Sequence, residues 1–192
     1  MTTVSLSSFA IVLGLILAAP AVFGLTSPDK FRAVMRGFPR SNAWGYFLML
    51  LGTAWFVHNV NQEQVADFQH YKGYLLSFFA GVGIASCIFV RDFLAVRGAA
   101  VVMLLLAKWM VDTGRPLLGE SAWVLLWQTW AYVFVVAGIW LTISPWRLRD
   151  LINWATENER RIKATCGARL AFCLLIVLLG ATVFRTAQAS GN

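Results

Sequence analysis

Long apolar runs alternate with short polar segments along the whole chain. The six longest runs are Val4–Leu25, Ala43–Val60, Tyr74–Val90, Gly98–Val111, Trp123–Ile143 and Ala168–Phe184. A helix needs roughly 20 mostly apolar residues to cross the hydrocarbon core of a bilayer. The fourth run is short unless Lys108 extends its amine outward to the interface. The pattern predicts an all-α, polytopic membrane protein with six transmembrane helices arranged as three hairpins.

Two polar segments between these runs look like copies of one another. Ser27–Met35 and Ser144–Ile152 both begin with Ser-Pro and are rich in basic residues, and the runs that follow them match through Leu50–Phe56 and Leu178–Phe184. The first segment carries apolar residues at helical spacing, at Phe31, Val34, Met35 and Phe38. This spacing predicts an amphipathic helix at the membrane surface in each copy. We therefore expect a parallel internal repeat, in which helices 1–2 correspond to helices 5–6.

The repeat divides a single integral membrane domain, residues 1–192, into three parts. Repeat unit A covers 4–60, a central hairpin covers 74–111, and repeat unit B covers 123–184. The offset between Gly52 and Gly180 makes unit B about eleven residues longer, which predicts a second surface helix that continues through Lys163. The polar tail Arg185–Asn192 is expected to fray. Each copy resembles small bacterial two-helix membrane proteins, and this likeness implies no function.

Composition and charge agree with a membrane protein and suggest its orientation. Hydrophobic residues make up 59% of the chain and charged residues 13%, with a net charge of +7. Twelve of the 16 Lys and Arg residues lie in or at the border of the segments after the first, third and fifth runs. The positive-inside rule then places both surface helices in the cytoplasm and both termini on the outer side of a bacterial inner membrane. This explanation of the basic charge leaves no need for a nucleic-acid partner.

The basic residues of the two surface segments are expected to contact anionic lipid headgroups. They are Lys30, Arg32, Arg36, Arg147 and Arg149. Cations near a helix N-terminus oppose the helix dipole, so helix stability does not explain Lys30 and Arg32.

Ionisable and amide side chains near the apolar runs are the candidates for a functional site, since an unpaired charge in hydrocarbon is costly. Lys108 and Asp112 are four residues apart, Arg115 lies almost one turn further on, and Gln128 belongs to the next run. A polar path near these four residues would make the protein a small transporter or channel. The structural alternative is an interfacial ion pair, with Gln128 hydrogen-bonded to a neighbouring helix.

No pattern typical of an enzyme is visible, and no cofactor is evident. The two histidines, His58 and His70, lie near a polar loop, where interfacial positions fit better than haem ligation between helices. The chain shows no Ser/His/Asp set, Gly-rich phosphate loop or metal-ligand cluster. We therefore expect a non-enzymatic protein.

Features that favour helix association suggest a role in a larger assembly. Ser77, Gly81 and Ala85 are four residues apart and predict a helix-packing face of small residues. Interfacial tryptophans and the two surface helices also favour a role in a larger assembly. We expect an accessory, scaffolding or assembly subunit of a bacterial membrane complex, whose partners are the lipid bilayer and other membrane protein subunits.

Overall fold

The computed structural model describes residues 5–63 and 70–190, with the backbone alone for 188–190. Within these ranges the regular structure is entirely helical, which confirms the predicted all-α class. The α-helices are α1 (Leu6–Thr26), α2 (Pro28–Gly37), α3 (Asn42–Gln62), α4 (Lys72–Phe89), α5 (Leu94–Gly114), α6 (Ala122–Ile143), α7 (Trp146–Ala155), α8 (Glu159–Ala181) and α9 (Val183–Ser190). Short 3-10 turns follow α2 and α5, at Phe38–Arg40 and Arg115–Leu117. Val4, the predicted start of the first run, lies outside the described residues.

Among the described residues, five helices are long and apolar enough to cross a membrane, which indicates an integral membrane protein. They are α1, α4, α5, α6 and α8. α3 has 21 residues, but His58, Asn59 and Asn61 make its last turns polar, and it is not one of the five.

Three helix boundaries differ from the sequence prediction. α5 begins at Leu94, directly after a tight turn in which Phe93 adopts a positive φ of 55°, so it is long enough to span without help from Lys108. α7 stops at Ala155, and the polar residues Glu159–Lys163 form the start of α8 instead of extending the surface helix.

The C-terminal tail also differs from the prediction. α8 ends at Ala181, and Val183–Ser190 form α9 instead of fraying, whereas the last two residues of the predicted tail, Gly191 and Asn192, lie outside the described residues. Phe184, the third residue after α8, is fully buried and lies 6.3 Å from Trp127 between ring centroids. Burial of this aromatic side chain stabilises a tail whose polar residues alone predicted disorder.

The described residues group into two compact units. The first contains residues 5–36, 107–133 and 151–190, and the second contains residues 37–63, 70–106 and 134–150.

In the first unit, α1 and α8 pack against each other in opposite directions. The Ser7 hydroxyl near the start of α1 donates to the Gly180 carbonyl near the end of α8, over 2.7 Å. At the other end, Ala21 packs against Ile162 and Cys166. A Cβ added at Gly180 would lie 3.0 Å from Ile11, so glycine permits the close approach of the two helices.

In the second unit, α3 packs against α4 in opposite directions. The centroids of the Phe56 and Phe79 rings lie 4.9 Å apart in the C-terminal half of α3, and Thr53, closer to the middle of α3, contacts Gly83. Met49 and Cys87 are buried together near the other end.

α3 also packs against α5, in the same direction. A Cβ at Gly45 would lie 3.0 Å from Leu94, and one at Gly52 would lie 2.9 Å from Val101. Between these points, a Cβ at Gly98 would lie 2.7 Å from the backbone nitrogen of Met49. Glycines therefore bring the two helix backbones close together over two turns.

Candidate functional site

Two arginines of α2 bind the C-terminal end of α7, so these two short helices are joined directly. Arg32 Nε donates to the Thr156 carbonyl over 3.0 Å, and Arg36 Nη2 donates to the same oxygen over 3.1 Å. Arg36 Nε also donates to the Thr156 hydroxyl over 3.0 Å. Thr156 follows the last residue of α7, where carbonyls lack intrahelical partners and the helix dipole attracts cations. We call this set of three residues the arginine clamp.

Next to the arginine clamp is an open groove of about 170 Å³ between α1, α2, α7 and α8. Its walls are mostly apolar and include Pro20, Phe31, Met35, Leu151 and Ala155. Arg169 of α8 lines the same groove, and its side chain also interacts with the Cys173 thiol. An apolar groove with one strongly basic side chain is suited to an amphiphilic anion.

The acidic side chains near this end of the first unit already have basic partners. Glu157 pairs with Arg161, Glu159 pairs with Lys163 over 2.7 Å, and Asp29 lies 3.4 Å from Arg32. None of the ion pairs formed within the described part of the chain includes Arg36 or Arg169. The groove therefore lies in a region of net positive charge.

Two of the residues predicted to form a polar path, Lys108 and Asp112, pair with each other. Lys108 Nζ lies 3.0 Å from Asp112 Oδ2, and the side chains are 51% and 49% exposed. This i,i+4 geometry matches the interfacial ion pair that the sequence offered as the structural alternative. Arg115 begins the 3-10 turn after α5 and is exposed.

Gln128, the fourth of these candidates, is buried and donates a hydrogen bond to the last turn of α5. Its amide nitrogen donates to the Val111 carbonyl over 3.2 Å, which confirms the predicted bond to a neighbouring helix. The adjacent Trp127 is fully buried, and its indole N–H donates to the Met110 carbonyl over 2.9 Å. Together the two side chains satisfy carbonyls in the last turn of α5, where intrahelical donors run out. Thr129, by contrast, bonds within its own helix, to the Leu125 carbonyl.

The five residues predicted to contact lipid headgroups fall into three groups. Arg32 and Arg36 belong to the arginine clamp, and Arg149 pairs with its neighbour Asp150 over 2.9 Å. Lys30 and Arg147 are exposed. Sequence reasoning did not single out Thr156 or Arg169. Arg169 could have been noticed as the last basic residue before the uncharged stretch Leu170–Phe184, whereas nothing in the local sequence marks Thr156.

Comparison with known proteins gives no family. No family model, no curated protein and no solved structure matches this chain.

At Gly81, the predicted small-residue face of α4 has no packing neighbour among the described residues. A Cβ added at Gly81 would meet nothing within 4 Å, and Ser77 is exposed. α4 contacts α3 through Gly83, which lies two residues beyond Gly81 and so points to nearly the opposite side of the helix. The face of Ser77, Gly81 and Ala85 is therefore directed away from α3.

The histidines and acidic residues form no metal-binding group in the described ranges. His58 and His70 are both exposed, and no cluster of three or more His, Cys, Asp or Glu side chains occurs among residues 5–63 and 70–190.

Proposed function

We propose that the protein crosses a bacterial inner membrane six times, with both termini on the outer side and with α2 and α7 in the cytoplasm. The argument rests on the arginine clamp. Its hydrogen bonds require α2 and α7 to lie on the same side of the membrane. An even number of crossings must then separate α2 from α7. Three of the four intervening helices qualify as spans, namely α4, α5 and α6, and this parity supports α3 as the fourth.

The packing of α3 supports the same proposal. α3 runs beside α4 from Phe56 at one end to Met49 at the other, and beside α5 from Gly45 to Gly52. A helix that accompanies two spans over this distance lies at the same depth in the bilayer. The polar residues His58 and Asn59 then fall at the outer interface, where water can solvate them.

The proposed repeat is supported by the order and lengths of the helices. α1, α2 and α3 follow one another as long, short and long helices, and so do α6, α7 and α8. The two short helices both have 10 residues. With α3 and α8 as spans, both copies have the same orientation, as a parallel repeat requires. The short helices are proposed to lie on the cytoplasmic surface with their basic residues toward the headgroups.

We propose that this non-enzymatic protein is an accessory or assembly subunit of a larger membrane complex. The observation that carries this proposal is α4. In the most apolar 18-residue stretch of α4, only 11% of the residues are buried, against 28–44% in the corresponding stretches of the other four spans. Its open face presents Gly81, which allows another helix to approach closely. A transmembrane helix of a partner subunit is the proposed occupant of that face.

A matched pair of substitutions tests the accessory role. Gly81→Ile fills the open face of α4, whereas Val82→Ile enlarges a side chain that is already exposed on the adjacent side. Solubilised in mild detergent, the wild-type chain should be recovered with other subunits. Gly81→Ile should reduce that recovery about tenfold, since overpacking a helix interface costs about 1–3 kcal/mol, and Val82→Ile should leave it unchanged. Recovery of the wild-type protein alone in several mild detergents would contradict the proposal.

A further inference from the structure

The groove beside the arginine clamp combines features that no part of the proposed accessory role requires. It lies between the first and last long helices of the first unit and the two surface helices. Its volume is about 170 Å³, and it is open on one side. This space suits a segment of one hydrocarbon chain and is too small for a whole lipid.

The position of Arg169 along α8 indicates the depth of the groove. The first eleven residues of α8, 159–169, precede the uncharged stretch Leu170–Phe184, and Arg169 is the last of these eleven. At 1.5 Å per residue, Arg169 lies about 15 Å from the helix start, at the border between its polar turns and its apolar part. A long basic side chain at this border reaches the level of lipid phosphates while its stem covers apolar surface.

Arg32 and Arg36, the arginines nearest to the groove, are bound to Thr156, so Arg169 is the basic residue of the groove that we consider as an anion ligand. Arg32 and Arg36 are occupied by the carbonyl and hydroxyl of Thr156. The nearby carboxylates of Glu157 and Glu159 are neutralised by Arg161 and Lys163. Arg169 lines the groove, interacts with the Cys173 thiol and forms no ion pair within the described residues, so an anionic group is the complementary ligand for its charge.

Both repeat units line the groove, and unit B contributes residues from the polar start of α8. Repeat unit B exceeds unit A by about eleven residues, and α8 carries that number of residues before Leu170. Three residues of this part of α8, Thr165, Cys166 and Arg169, line the groove. The start of α8 therefore supplies one wall of the groove and its basic residue.

We propose that the groove binds one anionic phospholipid of the cytoplasmic leaflet, with its phosphate on Arg169 and the upper part of one acyl chain against Phe31, Met35 and Leu151. The bound lipid fills the space between α2 and α7 and so links the two surface helices at a second point beside the arginine clamp. This site does not depend on a partner subunit, and it holds whether or not the protein joins a larger complex.

Native mass spectrometry of the full chain in mild detergent tests the proposal. The protein is titrated with phosphatidylglycerol or with phosphatidylcholine of the same chain length, and the first bound lipid is quantified. We expect one phosphatidylglycerol to bind more tightly than the remaining copies and more tightly than phosphatidylcholine. Arg169→Gln should weaken this first binding step about fivefold, since one basic residue near a membrane surface contributes about that factor.

Arg160→Gln is the matched control, because Arg160 is exposed, belongs to the same helix and does not line the groove. Both side chains are exposed, so both variants are expected to fold. Arg169→Lys should retain most of the preference, and Ala155→Phe should lower the affinity by filling the groove. Equal losses in Arg169→Gln and Arg160→Gln would show non-specific attraction and overturn the proposal. Displacement of the lipid by inorganic phosphate would overturn it too, because it would assign the site to a free anion.

Discussion

Replacing Arg36 with leucine should weaken the arginine clamp between α2 and α7. Arg36 makes two of the three hydrogen bonds to Thr156, one to its carbonyl and one to its hydroxyl. Arg32 keeps the remaining bond to the carbonyl, so that oxygen does not lose every donor. The substitution removes the donors and a favourable charge at the C-terminal end of α7, and it leaves both helix backbones intact.

The expected loss follows from the number of bonds and from the exposure of the arginine. A hydrogen bond contributes about 1 kcal/mol net, and somewhat more when one partner is charged. Arg36 is exposed, so the lower part of that range applies to each of its two bonds. We expect the free energy of unfolding to fall by about 1–2 kcal/mol. In a double-mutant cycle with Thr156→Val, the coupling energy should be about 1 kcal/mol, because of the two Arg36 bonds this second substitution removes only the one from Nε to the hydroxyl. The bond from the hydroxyl to the Ile152 carbonyl is lost with or without Arg36, so the cycle cancels its contribution.

Reversible unfolding in mixed detergent micelles provides the measurement, with Arg147→Leu as the control. Arg147 is an exposed arginine of α7 outside the clamp, and its replacement should change the free energy of unfolding by less than about 0.5 kcal/mol. The reasoning is refuted if Arg36→Leu matches this control, or if the coupling energy with Thr156→Val is zero.

Three further predictions concern the helix contacts. Gly98→Val should lower the free energy of unfolding by about 1–3 kcal/mol more than Gly167→Val, because a Cβ at Gly98 meets backbone and one at Gly167 meets nothing; equal effects would contradict the close approach of α3 and α5. Trp127→Phe should cost about 0.5–1.5 kcal/mol, since the Met110 carbonyl loses its indole donor but keeps the Thr113 hydroxyl; thermal denaturation of the variant measures this, and an unchanged midpoint would contradict it. Lys108→Met should cost less than about 0.5 kcal/mol, because the ion pair with Asp112 is half exposed; a loss of more than about 2 kcal/mol in the same assay would reveal a role beyond that pair.

Local patterns were sufficient to predict where most of the helices lie. α6 matches its predicted run to within one residue, and α2 begins at Pro28, where the missing N–H of proline costs nothing. The hydrophobic pattern alone did not predict where α8 begins, because its first residues are polar. There Glu159–Lys163 looked like part of a surface helix, although Asn158, in an extended conformation, separates it from α7.

The contacts that define the candidate site depend on residues far apart in the chain. Arg36 and Thr156 are 120 residues apart, and neither residue's neighbours indicate the other. The small-residue pattern of α4 raised a similar difficulty, because spacing shows that Gly81 permits close packing but not which helix will use it. Only tertiary structure showed that Gly83, on nearly the opposite side, packs against α3 and that Gly81 remains open.

Reporter fusions that determine the sidedness of the loops test the six-span topology most directly. Fusions after Arg40 and after Glu157 should both report a cytoplasmic position, because the arginine clamp holds α2 and α7 on one side. A fusion at Gly119, in the turn between α5 and α6, should report the outer side. If the fusions after Arg40 and Glu157 lie on opposite sides of the membrane, α3 is not a span, and the proposed topology and the clamp cannot both be correct.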